Sequence, residues 1–201
     1  MKLNCSLVLF ITLTFTALTS IAAPSNDEGA AETKVVHKGQ QSFNKYLAKF
    51  EDYLGGWTAS FSVEKGQPSV TDVTLFEKVL NGKGLKTTHS INDGMYGGES
   101  IIYWNNKANR LEFYYFTTAD FFTSGWMEFT DKNTFVAYEN VTGESTTSQG
   151  ITQVKSTSTL NGDSMTVSTS YLKNGEWTKE EGRTYTRTTK NVVLNRFYVR
   201  P

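Results

Sequence analysis

The 201-residue chain has a single cysteine, Cys5, and only two histidines, His37 and His89. Cys5 lies inside an N-terminal apolar run, so the remainder of the chain has no thiol. That excludes a disulfide, a cysteine-ligated metal and a cysteine nucleophile. An excess of charge of one sign is missing too. Lys+Arg and Asp+Glu total 20 each, and there is no basic stripe of the kind that neutralises phosphates, which sets nucleic acid aside as a partner. No nucleophile elbow and no metal-ligand cluster occur, so neither a catalytic residue nor a metal or other cofactor is assigned. A chain without cross-links must be held by its core, and about 175 residues can supply one.

The apolar run itself is "SLVLFITLTFTALTSIAA", residues 6–23, preceded by "MKLNC" with its one lysine. A basic start, an apolar middle and small residues at Ser20-Ile21-Ala22 predict a signal peptide over 1–22. A membrane anchor needs about 20 apolar residues with charged flanks, and this run is diluted by threonine and serine. The expectation is a secreted or periplasmic protein with no stable membrane span after cleavage. Residues 23–40, which include His37, are small, polar and aperiodic, and predict a flexible leader.

From there the periodicity becomes informative. In "QSFNKYLAKFEDYL", residues 41–54, Phe43, Tyr46, Leu47, Phe50, Tyr53 and Leu54 recur at three- and four-residue intervals. That spacing predicts an amphipathic helix, with Ser42 as its N-cap and Gly55 as its stop. After Trp57 the period is two. About ten strand-like runs follow, separated by short turn signals such as "NGKG" at 81, "NNKAN" at 105 and "NGD" at 161. Tight turns make neighbours antiparallel, and a sheet this wide hides its edges by curling shut. The expected fold is all-β: an antiparallel up-and-down barrel of about ten strands over 41–190, with an N-terminal helix capping one end. Ten strands leave a hollow that eight would fill. Residues 191–201 form a C-terminal tail of ambiguous structure. A β-sandwich is the competing architecture, but it favours longer connections between sheets.

Gly55-Gly56-Trp57, placed ahead of these strands, resembles the G-x-W signature of calycins, the lipocalins and fatty-acid-binding proteins among them. A helix, a glycine-tryptophan pair and about ten strands ending in Tyr185-x-Arg187 is similar to exported bacterial lipocalin-like proteins. The resemblance spans roughly 41–188. It implies a tryptophan at the barrel floor covered by a late arginine, Arg183 or Arg187, and a lumen for a small hydrophobic molecule. It does not extend to the haem-binding branch: Trp57 is followed by "TASF" rather than alternating glycines, and no histidine occurs after His89.

If parity propagates from Trp57, several residues become candidate lumen contacts. His89 is in phase with Leu85, Thr87 and Ile91, and would be a hydrogen-bonding or acid–base group, or a histidine satisfied by a neighbouring hydroxyl. Arg183 and Tyr185 resemble the pair with which fatty-acid-binding proteins hold a carboxylate, whose planar oxygens suit a guanidinium. Either residue could instead serve the wall. The aromatic stretch 110–129 supplies Phe113, Tyr115 and Trp126, and the strand before it Tyr103, as a wall for a flat or lipidic ligand or simply as packed core. The expected activity is binding of a small hydrophobic or amphipathic molecule with a polar or carboxylate head. The alternative is a barrel lyase, cyclase or isomerase using His89 and polar residues of the last strand.

Overall fold

The computed structural model describes residues 42–62, 69–119, 122–142 and 150–194. The expected signal peptide and leader, His37 included, lie outside these residues, as does the tail beyond Leu194. Eleven strands form one antiparallel sheet: β1 (Gly55–Ser62), β2 (Ser69–Val79), β3 (Gly84–Ile91), β4 (Tyr96–Asn105), β5 (Arg110–Thr117), β6 (Phe122–Phe129), β7 (Thr134–Thr142), β8 (Ile151–Asn161), β9 (Ser164–Lys173), β10 (Glu176–Trp177) and β11 (Glu181–Thr188). Neighbours in sequence pair in order from β1 to β9, and β11 lies between β9 and β1. The ring of β1–β9 and β11 is therefore a closed barrel of ten strands, and β10 is a two-residue addition on β9. The sandwich alternative is excluded, because a closed ring leaves no second sheet.

The register carries parity around the ring. Trp57 faces Thr74, Thr74 faces His89, and His89 faces Gly98. On the return side Glu139 faces Val154, Val154 faces Tyr171, and Arg187 faces Trp57. Among the described residues the one register shift lies between Ile151 and Gln153, at the start of β8. Inward residues at one end are apolar and buried: Trp57, Leu85, Ile102, Leu111, Phe113, Met127, Phe135, Leu160 and Met165 belong to one core cluster.

The α-helix expected over 41–54 does not form. A turn at 45–47 leads into a six-residue 3₁₀ helix, Ala48–Tyr53. The reason lies in the spacing. Leu47, Phe50 and Tyr53 are three apart, which at three residues per turn puts all of them on one face, and all are fully buried. Asn44 reinforces the tighter path, since its side-chain oxygen accepts from the backbone N–H of Tyr46 and Leu47. Phe50 then packs edge-on against Phe129 and Phe135, and the Tyr53 hydroxyl donates to the carbonyl of Asn133 in the β6–β7 turn. Burial pushes the Tyr53 phenol up to about 12, so it stays a donor.

The two glycines before Trp57 serve different ends. Gly55 has φ +101°, a region open to glycine, and turns the chain from the 3₁₀ helix into β1. Gly56 is needed for proximity: a Cβ there would stand 2.5 Å from the carbonyl oxygen of Thr188 on β11. Trp57 is fully buried and donates from Nε1 to the carbonyl of Tyr53 at 2.8 Å. Arg187 covers its ring, with the guanidinium carbon 3.8 Å from the centroid, while donating to the carbonyls of Leu54 and Asp52. One arginine thus ties the tryptophan, the end of the 3₁₀ helix and the closing strand together. Trp57→Ala should cost about 3–5 kcal/mol and Arg187→Ala about 1–2 kcal/mol. In urea unfolding the double variant should lose less than the sum, because the two groups share one interaction.

Candidate functional site

The other end of the barrel is chemically different. There the inward positions carry Asp72, His89, Tyr96, Tyr115, Thr123, Glu139, Tyr171, Arg183 and Tyr185, one or two from each of eight strands. Alternation places them: each lies an even number of residues from the other inward positions of its strand. Room for the largest ring comes from Gly98, where a Cβ would meet the Tyr115 ring at 2.6 Å.

Hydrogen bonds and close contacts link His89, Tyr115, Tyr96, Asp72 and Tyr185 on one wall, and Thr123 with Glu139 on another. The His89 Nε2 lies 2.6 Å from the Tyr115 hydroxyl, which lies 3.1 Å from the Tyr96 hydroxyl. The His89 Nδ1 faces Asp72, 3.5 Å from Oδ1. With a proton on Nδ1, Nε2 accepts from Tyr115, and Tyr115 in turn accepts from Tyr96. Asp72 Oδ2 accepts from the Tyr185 hydroxyl at 2.8 Å. Asp72 Oδ1, buried, has no hydrogen-bond partner among the described residues; the His89 contact is long and poorly aimed. On the facing wall Glu139 accepts from Thr123 at 2.5 Å. Arg183 lies over the Phe61 ring at 4.2 Å and approaches the hydroxyls of Tyr171 and Tyr185.

The electrostatics follow from burial. Desolvation raises the phenols of Tyr96, Tyr115, Tyr171 and Tyr185, so all four remain neutral hydroxyls. Desolvation also raises the Glu139 carboxyl, against the Thr123 hydrogen bond and the nearby His89, which both favour the carboxylate. Glu139, Tyr96, Tyr115 and Tyr171 are enclosed by protein on most sides and still retain accessible surface. The His89 side chain is 25% exposed although it points inward. These inward side chains keep accessible surface that those of the apolar tier have lost.

Of the residues expected at the site, His89, Tyr115, Arg183 and Tyr185 fall together in this upper tier. Phe113 also points inward but lies deeper, in the packed core beside Gly125. Tyr103 and Trp126 sit on the outer face, one residue out of phase with the buried Ile102 and Met127. Tyr103 donates to Glu112, and Trp126 stacks on Tyr138 with Arg110 above it. Neither shares the lumen.

Asp72 and Glu139 escaped the sequence reading. In "SVTDVTLFEKV" the apolar phase is Val73, Leu75 and Val79, which makes Asp72 look external. That outer face is apolar because the tail covers it: Val192 and Leu194 line the same groove as Leu75, and Ser90 donates to the Val193 carbonyl at 2.5 Å. Glu139 did leave a signal, being in phase with Phe135, Ala137 and Val141.

No family model matches the chain, and no curated protein matches it. Among solved structures it is similar to Rv2717c from M. tuberculosis, with a TM-score of 0.53 at 12% identity. The match covers 73% of this chain and 99% of that one. What is shared is the barrel. At that identity the likeness carries fold alone, and the calycin resemblance of Gly55-Gly56-Trp57 stays outside what it establishes.

The raised Glu139 carboxyl gives a signed prediction. Its proton is held more tightly in the folded than the unfolded chain, so its contribution to stability is present in acid and is lost as pH rises through the folded pKa. Thermal melts from about pH 4 to about pH 8 should show Glu139→Gln level with the parent in acid and increasingly more stable above it. A gap that does not change with pH would remove the desolvation argument.

Proposed function

We propose that this chain is an exported calycin-like barrel that holds one small amphipathic molecule in its lumen. Export is supported by the apolar run and Ser20-Ile21-Ala22 at the N-terminus. Among the described residues no helix is long and apolar enough to cross a membrane. The observation that carries the reading is the polar upper tier: hydrogen-bonding side chains that keep accessible surface over a packed apolar floor, closed beneath by Trp57. Half-buried Phe61, Ile91, Val141, Val154 and Val167 stand on inward positions around it and offer the apolar part of a ligand its contacts. A polar head would lie among the tyrosines and His89.

One observation favours a second reading. The Asp72–His89–Tyr115 contacts place an imidazole between a carboxylate and a phenol, an arrangement able to move a proton at its Nε2 side. On that reading His89→Ala abolishes turnover while the barrel stays folded.

Binding is tested with Nile red, a neutral apolar fluorophore. It should titrate to one molecule per chain. Ser156→Trp, which directs an indole into the hollow from β8, should abolish that binding without unfolding the barrel, and Trp126→Ala on the outer face should leave it unchanged. Equal binding by the parent and Ser156→Trp would place the fluorophore outside the lumen.

A further inference from the structure

We infer that the outer face of β4–β7 docks a second copy of this chain, so that the protein assembles as a two-fold dimer. The inference uses the outward phase of these strands and does not depend on what the lumen holds.

The aromatic stretch 110–129 supplies more rings than the interior takes up. Tyr114, Phe116 and Phe122 point outward, one residue out of phase with the inward Phe113, Tyr115 and Thr123, and are 45%, 55% and 51% exposed. Register sets Phe116 opposite Phe122, and Tyr114 opposite Ile101. The rings form a series: the centroids of Tyr114 and Phe116 lie 6.5 Å apart, and those of Phe116 and Phe122 6.1 Å apart. Half-buried Tyr103 and the Trp126–Tyr138 stack continue the same face. On the far side of the ring the outward positions are polar: Lys155, Thr157, Thr159, Thr166, Ser168 and Ser170. Single exposed rings need no partner, but a contiguous cluster of them marks an interaction surface.

Charge and size select the partner. The carboxylates bordering the patch are already neutralised within the chain: Glu112 pairs with Arg110 at 2.8 Å, and Glu99 with Lys86 at 3.4 Å. Between them Ile101, Tyr103, Tyr114, Phe116, Phe122 and Ser124 carry no charge. A second copy therefore meets this face without like-charge repulsion. An anionic lipid surface finds no free cation at its border, because Arg110 and Lys86 are engaged by those carboxylates. Four strands about 4.8 Å apart, each about eight residues long at about 3.3 Å per residue, present on the order of 500 Å² in projection. Protruding side chains raise that toward the roughly 800 Å² per partner of a specific pair. A two-fold axis through the patch buries it on both copies at once, which closes the assembly at two.

Sedimentation velocity of the purified protein from about 1 to about 200 µM tests this. The parent should pass from monomer to dimer within that range and go no further. Phe116→Ser and Phe122→Ser should each raise the dimer dissociation constant at least about tenfold. Thr157→Lys, outward on β8, should leave it unchanged. Both phenylalanines are exposed, so near-UV circular dichroism should show the two serine variants folded. A parent that stays monomeric throughout, or a dimer that persists in both serine variants, overturns the inference. So does a monomer that sediments with phosphatidylcholine vesicles and loses that attachment in Phe116→Ser, because lipid is then the occupant of the patch.

Discussion

Closure of the ring depends on Arg187. Besides it, β11 meets β1 through backbone pairing over three residues, Gly56 to Thr58, and through Arg183 over Phe61. The Arg187 guanidinium adds a stacked contact on Trp57 and two bonds to carbonyls at the end of the 3₁₀ helix. Its neighbourhood is shaped for it, since Gly56 brings β11 close and Gly55 turns the helix out of the way. A barrel closed at that seam has no free edge, and its interior becomes a place where polar groups can be held away from bulk water.

That interior is divided. Toward the 3₁₀ helix it is an apolar core of aromatic and aliphatic side chains packed on Trp57. Toward the other end it is a set of carboxyls, hydroxyls, one guanidinium and one imidazole, of which His89, Tyr96, Tyr115, Glu139 and Tyr171 keep accessible surface. Stability and chemistry therefore occupy different levels of the same strands. Strand β5 shows both: Leu111 and Phe113 lie in the core, and Tyr115, two residues on, lies in the network. Enclosing Asp72 and Glu139 costs free energy, and the core beneath supplies the stability that tolerates it.

Much of the fold was legible in the chain because period-two alternation and short Asn-Gly turns are local signals. His89 is legible by parity, Arg183 and Tyr185 by resemblance and Tyr115 by aromatic density; all four share the inward phase of a described register with one shift. The failures also have local causes. Three-residue spacing of Leu47, Phe50 and Tyr53 fits a 3₁₀ helix better than an α-helix, and both share the aromatic stripe from which the helix was read. Trp126 and Tyr103 looked like ligand walls because aromatic density was weighed above phase. Asp72 was hidden because a tail far along the chain makes the outer face of β2 apolar, and no local pattern encodes that contact.

The central claim is that the polar upper tier admits a small molecule among His89, Tyr96, Tyr115 and Glu139. A crystal structure of the protein purified from its own host tests this most directly. The account predicts ordered water or ligand density within hydrogen-bonding distance of the Tyr96, Tyr115, His89 or Glu139 side chains. Continuous side-chain packing across that tier, with no such density, would contradict it.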